Sequence, residues 1–294
     1  MLKLNIDPPP PPETCIDASA NSQADNKARN IDAGVDKEYM EAMSQSKSGC
    51  HSCMEGKDFP IPFTMAFQPI VDLHERRIST YEALVRGPEG QPAMSVLSQV
   101  TADNRYAFDQ ACRVKAIELA ASLGLDRRLS INFLPNAVYD PKACIRATLA
   151  AAERARFPLD LITFEITEDE RITDTPHLLS IIKEYRRHGF KVALDDFGAG
   201  YAGLNVLAEM MVDVVKLDIA LVRDIDHDQR RRTIALGMIK ICQQLDVDVV
   251  AEGVERIEEL KVLRDAGVRY MQGFLFSRPV VNSLVQDSDI NFIP

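Results

Sequence analysis

Acidic residues in this chain recur where apolar runs end. Glu82 stands in Tyr-Glu-Ala-Leu-Val-Arg and Glu165 and Glu168 in Phe-Glu-Ile-Thr-Glu. The pair Asp195-Asp196 ends Lys-Val-Ala-Leu-Asp-Asp, Asp218 ends Val-Val-Lys-Leu-Asp, and Glu252 and Glu255 lie in Ala-Glu-Gly-Val-Glu. Asn132, in Ser-Ile-Asn-Phe-Leu, and Gln272, before Gly273, fall in equivalent places. One such group is commonly a helix N-cap, and Asp-Asp before Gly is by itself a turn. Six or more polar termini on apolar strands demand a cation, because burying several ionised carboxylates together is costly. The donors Glu82, Asn132, Glu165, Asp195 and Asp196 are all oxygen, with no neighbouring histidine, and this selects Mg²⁺ or Mn²⁺ over Zn²⁺ or Cu²⁺. Adjacent aspartates can hold two ions with Asp195 shared; ions about 3.5–4 Å apart are a device of phosphodiester hydrolysis. Lys216, between Val215 and Leu217, can hold the attacking water or a phosphate, and Arg86 can contact phosphate through both guanidinium nitrogens. The plainer alternatives are an exposed lysine and a surface ion pair.

These residues need a scaffold that brings strand ends together. Strands are expected over Phe63–Asp72, Ile78–Arg86, Leu129–Leu134, Ile162–Thr167, Lys191–Phe197, Val212–Asp218, Asp248–Val254 and Arg269–Phe276. Helices are expected over Ala107–Leu123, Pro141–Ala155, Thr175–His188, Asp228–Leu245 and Glu258–Ala266, with Gly189 and Gly267 as stops. The alternation, with strands apolar on both faces, predicts an α/β fold, a (β/α)₈ TIM-like barrel over residues 61–294. Leu73–Arg77 is too short for a parallel crossover, so the first two strands pair antiparallel. A doubly wound open sheet is the runner-up, without the Gly-x-Gly-x-x-Gly loop that would support it.

Residues 1–60 read as a separate arm. Pro8–Pro12 favours extended polyproline II, a polar tract follows, and Asp32–Ser46 suits a short helix. Cys50-His51-Ser52-Cys53 is half a zinc site or a redox pair; Cys15 and His51 are the available extra ligands, and ordinary thiols are the plainer reading. The 294 residues are 46% hydrophobic, enough for a large core. A net charge of −10 disfavours DNA and anionic membranes as partners. With no apolar membrane-length run, no signal-like start in Met1–Pro12 and six scattered cysteines, the expected setting is the cytoplasm.

The motifs in order resemble the EAL-domain family of cyclic-di-GMP phosphodiesterases. The signature is Glu82-Ala83-Leu84. Around it stand Gln68-Pro69-Ile70-Val71-Asp72, Glu165-Ile166-Thr167-Glu168, Asp195-Asp196-Phe197-Gly198, Lys216-Leu217-Asp218, Ala251-Glu252-Gly253-Val254-Glu255 and Gln272-Gly273. The match spans about Phe63–Pro279 and is most like light-regulated members, with Leu-Val-Arg-Gly-Pro after the signature glutamate and alanine. The resemblance implies a barrel with one reversed strand and hydrolysis of cyclic di-GMP to linear pGpG with Mg²⁺ or Mn²⁺. It implies that Glu82, Asn132, Glu165 and Asp195 hold one metal and Asp195 and Asp196 the second. Lys216 and Glu252 would position or deprotonate the water, while Gln68, Leu84, Arg86 and Gln272 would touch substrate. Glu168 would brace the loop after Asp-Asp-Phe-Gly, with Asp218 and Glu255 outside the ligands. A homodimer is implied through the barrel face near that loop, with a protein partner at the N-terminal arm as a further expectation.

One departure falls in that loop: Ala199-Gly200-Tyr201-Ala202-Gly203 lacks hydroxyls that the family more often has. A catalytically dead cyclic-di-GMP receptor and an adaptor are the competing readings. Either would be expected to lose a metal carboxylate, the lysine or the signature glutamate, and all are present here.

Overall fold

The computed structural model describes residues 59–138, 140–167, 175–199 and 203–292, whose nine strands form one sheet. The strands are β1 Thr64–Asp72, β2 Arg77–Arg86, β3 Arg128–Asn132, β4 Ile162–Thr167, β5 Lys191–Phe197, β6 Val214–Leu217, β7 Asp248–Ala251, β8 Tyr270–Met271 and β9 Val280–Val281. Neighbours from β2 to β8 pair in parallel. β1 closes the ring antiparallel to both β2 and β8, as the short 73–77 connection requires. β9 pairs antiparallel with Ala66–Phe67 of β1, on the same edge that meets β8 at Val71–Asp72, and has no counterpart among the expected strands. The result is the expected barrel with one reversed strand.

The helices are α1 Met94–Leu97, α2 Arg105–Ser122, α3 Pro141–Cys144, α4 Arg146–Ala155, α5 Thr175–Arg187, α6 Gly203–Glu209, α7 Ile219–Val222, α8 Gln229–Gln244 and α9 Ile257–Asp265. The helix expected over 141–155 is interrupted at Ile145, which keeps helical dihedrals. α8 starts where Asp228 accepts hydrogen bonds from the amides of Arg230 and Arg231, the N-cap its position suggests. No helix among the described residues is long and apolar enough to cross a membrane.

The strands carry two different faces. Leu129, Ile131, Phe164, Ile166, Val192, Leu194, Val215 and Leu217 are buried and build the hydrophobic core. Alternate positions carry Ser130 and Asn132, Thr163 and Glu165, Asp195, and Lys216. The expectation of strands apolar on both faces holds in part: one face is apolar, and the lumen mixes these polar side chains with Ile70, Ala193, Val214 and Val250. Asp72, at the end of β1, accepts bonds from Arg269 Nε at 2.9 Å and Nη2 at 2.6 Å, fastening β1 to the chain entering β8. Cys112, Cys144 and Cys242 are buried and form no disulfide among the described residues, while Cys15, Cys50, Cys53 and the expected Asp32–Ser46 helix lie outside them.

Candidate active site

Strand register decides which side chains meet. Gln68 of the reversed strand lies opposite Glu82, Glu82 opposite Ser130, Asn132 opposite Glu165, and Thr167 opposite Asp195. Lys216 rises between β5 and β7, and Glu252 follows β7, its amide bonded to the Leu217 carbonyl at 3.1 Å. At β8 the chain bends instead of continuing to Phe276. Gln272 still bonds the Ala251 carbonyl at 2.8 Å, while Gly273 lies against the Val254 backbone where any Cβ would collide.

Lys216 is the centre of the cluster. Its Nζ lies 2.7 Å from Glu252 Oε1, 3.0 Å from Glu165 Oε2, 3.0 Å from Asp195 Oδ1 and 3.4 Å from Glu82 Oε2. Its side chain is 1% exposed. Glu82 is also held by Asn132 Nδ2 at 3.1 Å and Gln272 Nε2 at 2.9 Å, and Glu165 Oε1 accepts a bond from the Ser130 hydroxyl. One ammonium thus faces four carboxylates, and the electrostatics record the imbalance. Burial, with the neighbouring carboxylates, pushes Glu165 and Glu252 well above the usual carboxylate range and raises Asp195. Asp196 is pushed up to about 7 by burial and the adjacent Asp195. Glu82 is the exception: burial raises it, but Lys216, Gln272 and Asn132 together hold it below its ordinary value. Burial works against the Lys216 ammonium, yet the surrounding acids carry its pKa well above the ordinary lysine value.

Two acid groups can each hold a cation, Glu82–Glu165–Asp195 and Asp195–Asp196–Glu252, with one ligand atom from each residue within 4.8 Å of the others. They share Asp195, whose buried Oδ2 has no hydrogen-bond donor. An orphaned carboxylate oxygen in an all-oxygen, charge-surplus cluster fits a hard divalent cation. A third acid group, Asp224–Asp226–Glu259, is already filled by the Arg256 guanidinium.

The other expected residues fall in different places. Gln68 Nε2 donates to the Ser277 carbonyl at 3.2 Å, and Leu84 is half-buried near the end of β2. Arg86 is half-buried at that end, its pKa lowered by burial, and its Nη1 donates to the Val85 carbonyl at 2.7 Å. Gln272 points at Glu82. Asp218 caps α7, accepting from Ala220 N at 2.8 Å. Glu255 lies away from the cluster, 3.8 Å from Arg223. Glu168 and residues 200–202 lie outside the described residues. Ser130 was not among the expected site residues; its position two before Asn132, on the same strand face, was the available signal.

The EAL domain family model matches residues 62–279. This chain belongs to the EAL family. A standalone versatile EAL protein from Vibrio cholerae O395, solved with c-di-GMP bound, is 50% identical at a TM-score of 0.76, covering 80% of this chain and 98% of that one. The Klebsiella pneumoniae BlrP1 manganese/cy-diGMP complex is 38% identical at a TM-score of 0.72, covering 77% of this chain and 58% of its own. Among curated relatives, the Escherichia coli blue light- and temperature-regulated antirepressor BluF is 32% identical over 220 residues, 74% of this chain and 55% of that protein. The Pseudomonas aeruginosa cyclic di-GMP phosphodiesterase NbdA is 29% identical over 228 residues, 73% of this chain and 28% of that protein. The EAL region here thus spans about half or less of these two curated relatives.

Proposed function

We propose that this chain hydrolyses cyclic di-GMP to linear pGpG in a reaction that requires two Mg²⁺ or Mn²⁺ ions. What carries this reading is the pair of acid groups that share Asp195 around Lys216. In it, Glu82, Asn132, Glu165 and Asp195 hold one ion, and Asp195 and Asp196 the other. Bound there, the ions supply Lewis-acid stabilisation of phosphate oxygens and a water of lowered pKa. Lys216 and Glu252, 2.7 Å apart, orient that water, and Glu252 takes its proton. The water oxygen bonds to phosphorus as one ester bond breaks, and the departing ribose oxygen takes a proton from solvent to leave as hydroxyl. Arg86, Gln68, Leu84 and Gln272 bind the dinucleotide, and Glu168 braces the loop beyond Asp196.

A binding-only receptor is the weaker reading. It has no need of Lys216 and Glu252 together with every metal carboxylate. The test is turnover of cyclic di-GMP by the full chain, with product separated chromatographically. We expect pGpG with Mg²⁺ or Mn²⁺ and none in Glu82→Ala; saturable binding without metal-dependent turnover would overturn the proposal. We also propose pairing of two chains through the face beside α6, where Leu204 and Met211 are exposed, a state that sedimentation would detect as a dimer.

A further inference from the structure

The barrel has a second chamber at the end opposite the carboxylates. It is a cavity of about 180 Å³ lined by the amino-terminal halves of the parallel strands and the carboxyl-terminal end of the reversed β1, and its ceiling is the underside of Glu165 and Lys216. By the space that water occupies in the liquid, that is room for about six waters, or for one small ion and part of its hydration.

Two independent observations make it more than a packing gap. The first is charge. Arg77, Arg128, Lys191 and Arg269 converge on its mouth from β2, β3, β5 and the approach to β8, against Asp72 and Asp248. Asp72 and Arg269 already satisfy each other at 2.6 Å. Arg128 donates one nitrogen to the Asp160 carbonyl at 3.0 Å, and Lys191 meets no acceptor among the described residues. Arg77, which also interacts with Asp287, thus lines one chamber with Arg128, Lys191 and Asp248, in a chain whose net charge is −10. The second is an unpartnered polar atom. Thr163 is 3% exposed and lines the chamber, and its Oγ1 has no hydrogen-bond partner. Buried hydroxyls are almost always bonded, so a polar guest belongs beside it.

We propose that this chamber is a second ligand site, for a small tetrahedral oxyanion: inorganic phosphate or the terminal phosphate of a nucleotide. Guanidinium and ammonium groups from separate strands surround such an ion as charge-assisted donors, and a threonine hydroxyl completes the set from inside. Arg86 is not among the residues lining the chamber; Lys216, in its ceiling, is the one cation it shares with the carboxylate cluster.

The full chain, stripped of divalent ions with chelator, is titrated with phosphate by calorimetry and by ³¹P line broadening. We expect saturable binding that weakens about tenfold or more in Arg128→Gln/Lys191→Gln, a loss of about 1.4 kcal/mol or more. Thr163→Val, which keeps the shape and removes the hydroxyl, should weaken it too, and Arg86→Ala should leave it unchanged. Circular dichroism and thermal unfolding identify variants that fold as the parent does. Tighter binding of guanosine 5′-monophosphate than of phosphate supports a nucleotide source; equal or weaker binding supports inorganic phosphate. Absence of saturation, unchanged affinity in folded Arg128→Gln/Lys191→Gln, or loss of binding in Arg86→Ala would each overturn the proposal. In the first of these cases the cations serve only the carboxyl-terminal ends of the surrounding helices.

Discussion

Asp195 and Asp196 are sequence neighbours on a strand, yet both carboxylates reach one ligand group with Glu252. In a regular strand they would point to opposite faces. The alternation is broken by a register shift between Leu194 and Phe197 and by a left-handed Asp196, φ +54°. A non-glycine residue in that conformation is strained and persists where its surroundings hold it. Here Gly198 follows, also left-handed, against the Leu221 side chain where a Cβ would collide.

This geometry makes the two aspartates unequal. Asp195 belongs to both acid groups and Asp196 to one. Asp195→Asn should weaken both ions and Asp196→Asn mainly the second. Mn²⁺ titration followed by paramagnetic resonance would show the loss of two classes of site in the first variant and one in the second. Removing a residue that only orients a ligand typically lowers metal affinity about 10–100-fold, so removal of a ligand should exceed that. Equal effects on both classes from either variant would contradict a shared Asp195.

Most of this centre was legible because strand ends in a barrel converge, so Glu82, Glu165, Asp195, Lys216 and Glu252 could be grouped from their places alone. The reversed β1 was legible because five residues cannot carry a parallel crossover. Other features depend on tertiary contact. Gln272, expected to face substrate, also donates to Glu82 Oε2, a contact that no local pattern records. The last strand is short because Gly273 must pass the Val254 backbone, and β9 exists only because β1 offers it a free edge. The polar part of the lumen was hidden by small side chains such as Ser130 and Thr163, which read as neutral within apolar runs.

Ser130 orients Glu165 through its hydroxyl and touches none of the other acids through a hydrogen bond. Ser130→Ala should lower affinity for the ion at Glu82–Glu165–Asp195 about 10–100-fold, the usual effect of losing a group that orients a ligand. Turnover should recover at high Mn²⁺, and thermal unfolding of the metal-free protein should barely move. Metal titration of the folded variant measures this directly; an unchanged affinity would leave Ser130 with packing alone.

Asp72 supplies a pH dependence remote from the metal centre. Burial raises its pKa, but Arg269 and the amides of Glu75 and His74 outweigh it and hold the carboxyl below its ordinary 3.8. A group with a depressed folded value contributes stability above its unfolded pKa and loses it as pH falls through the folded value. Asp72→Asn should therefore destabilise at neutral pH, by about 1 kcal/mol because Arg269 is partly solvated. Its deficit relative to the parent should shrink below about pH 3.9. Urea unfolding at pH 7 and near pH 3 checks both the sign and the window.

Lys216 distinguishes a metal centre from a buried ion-pair network. It faces Glu82, Glu165, Asp195 and Glu252 within 3.4 Å, so Lys216→Met leaves four acids without their common cation. Breaking a buried ion pair from one side typically costs about 3–5 kcal/mol, and the metal-free variant should melt well below the parent. If the acids are metal ligands, saturating Mg²⁺ or Mn²⁺ should restore much of that stability by mass action on the folded state. Turnover should stay absent, because the water loses the ammonium that orients it. If the cluster were structural, the ions would leave the melting temperature of the variant where it was. Thermal unfolding of parent and variant, with chelator and with each ion, decides between them.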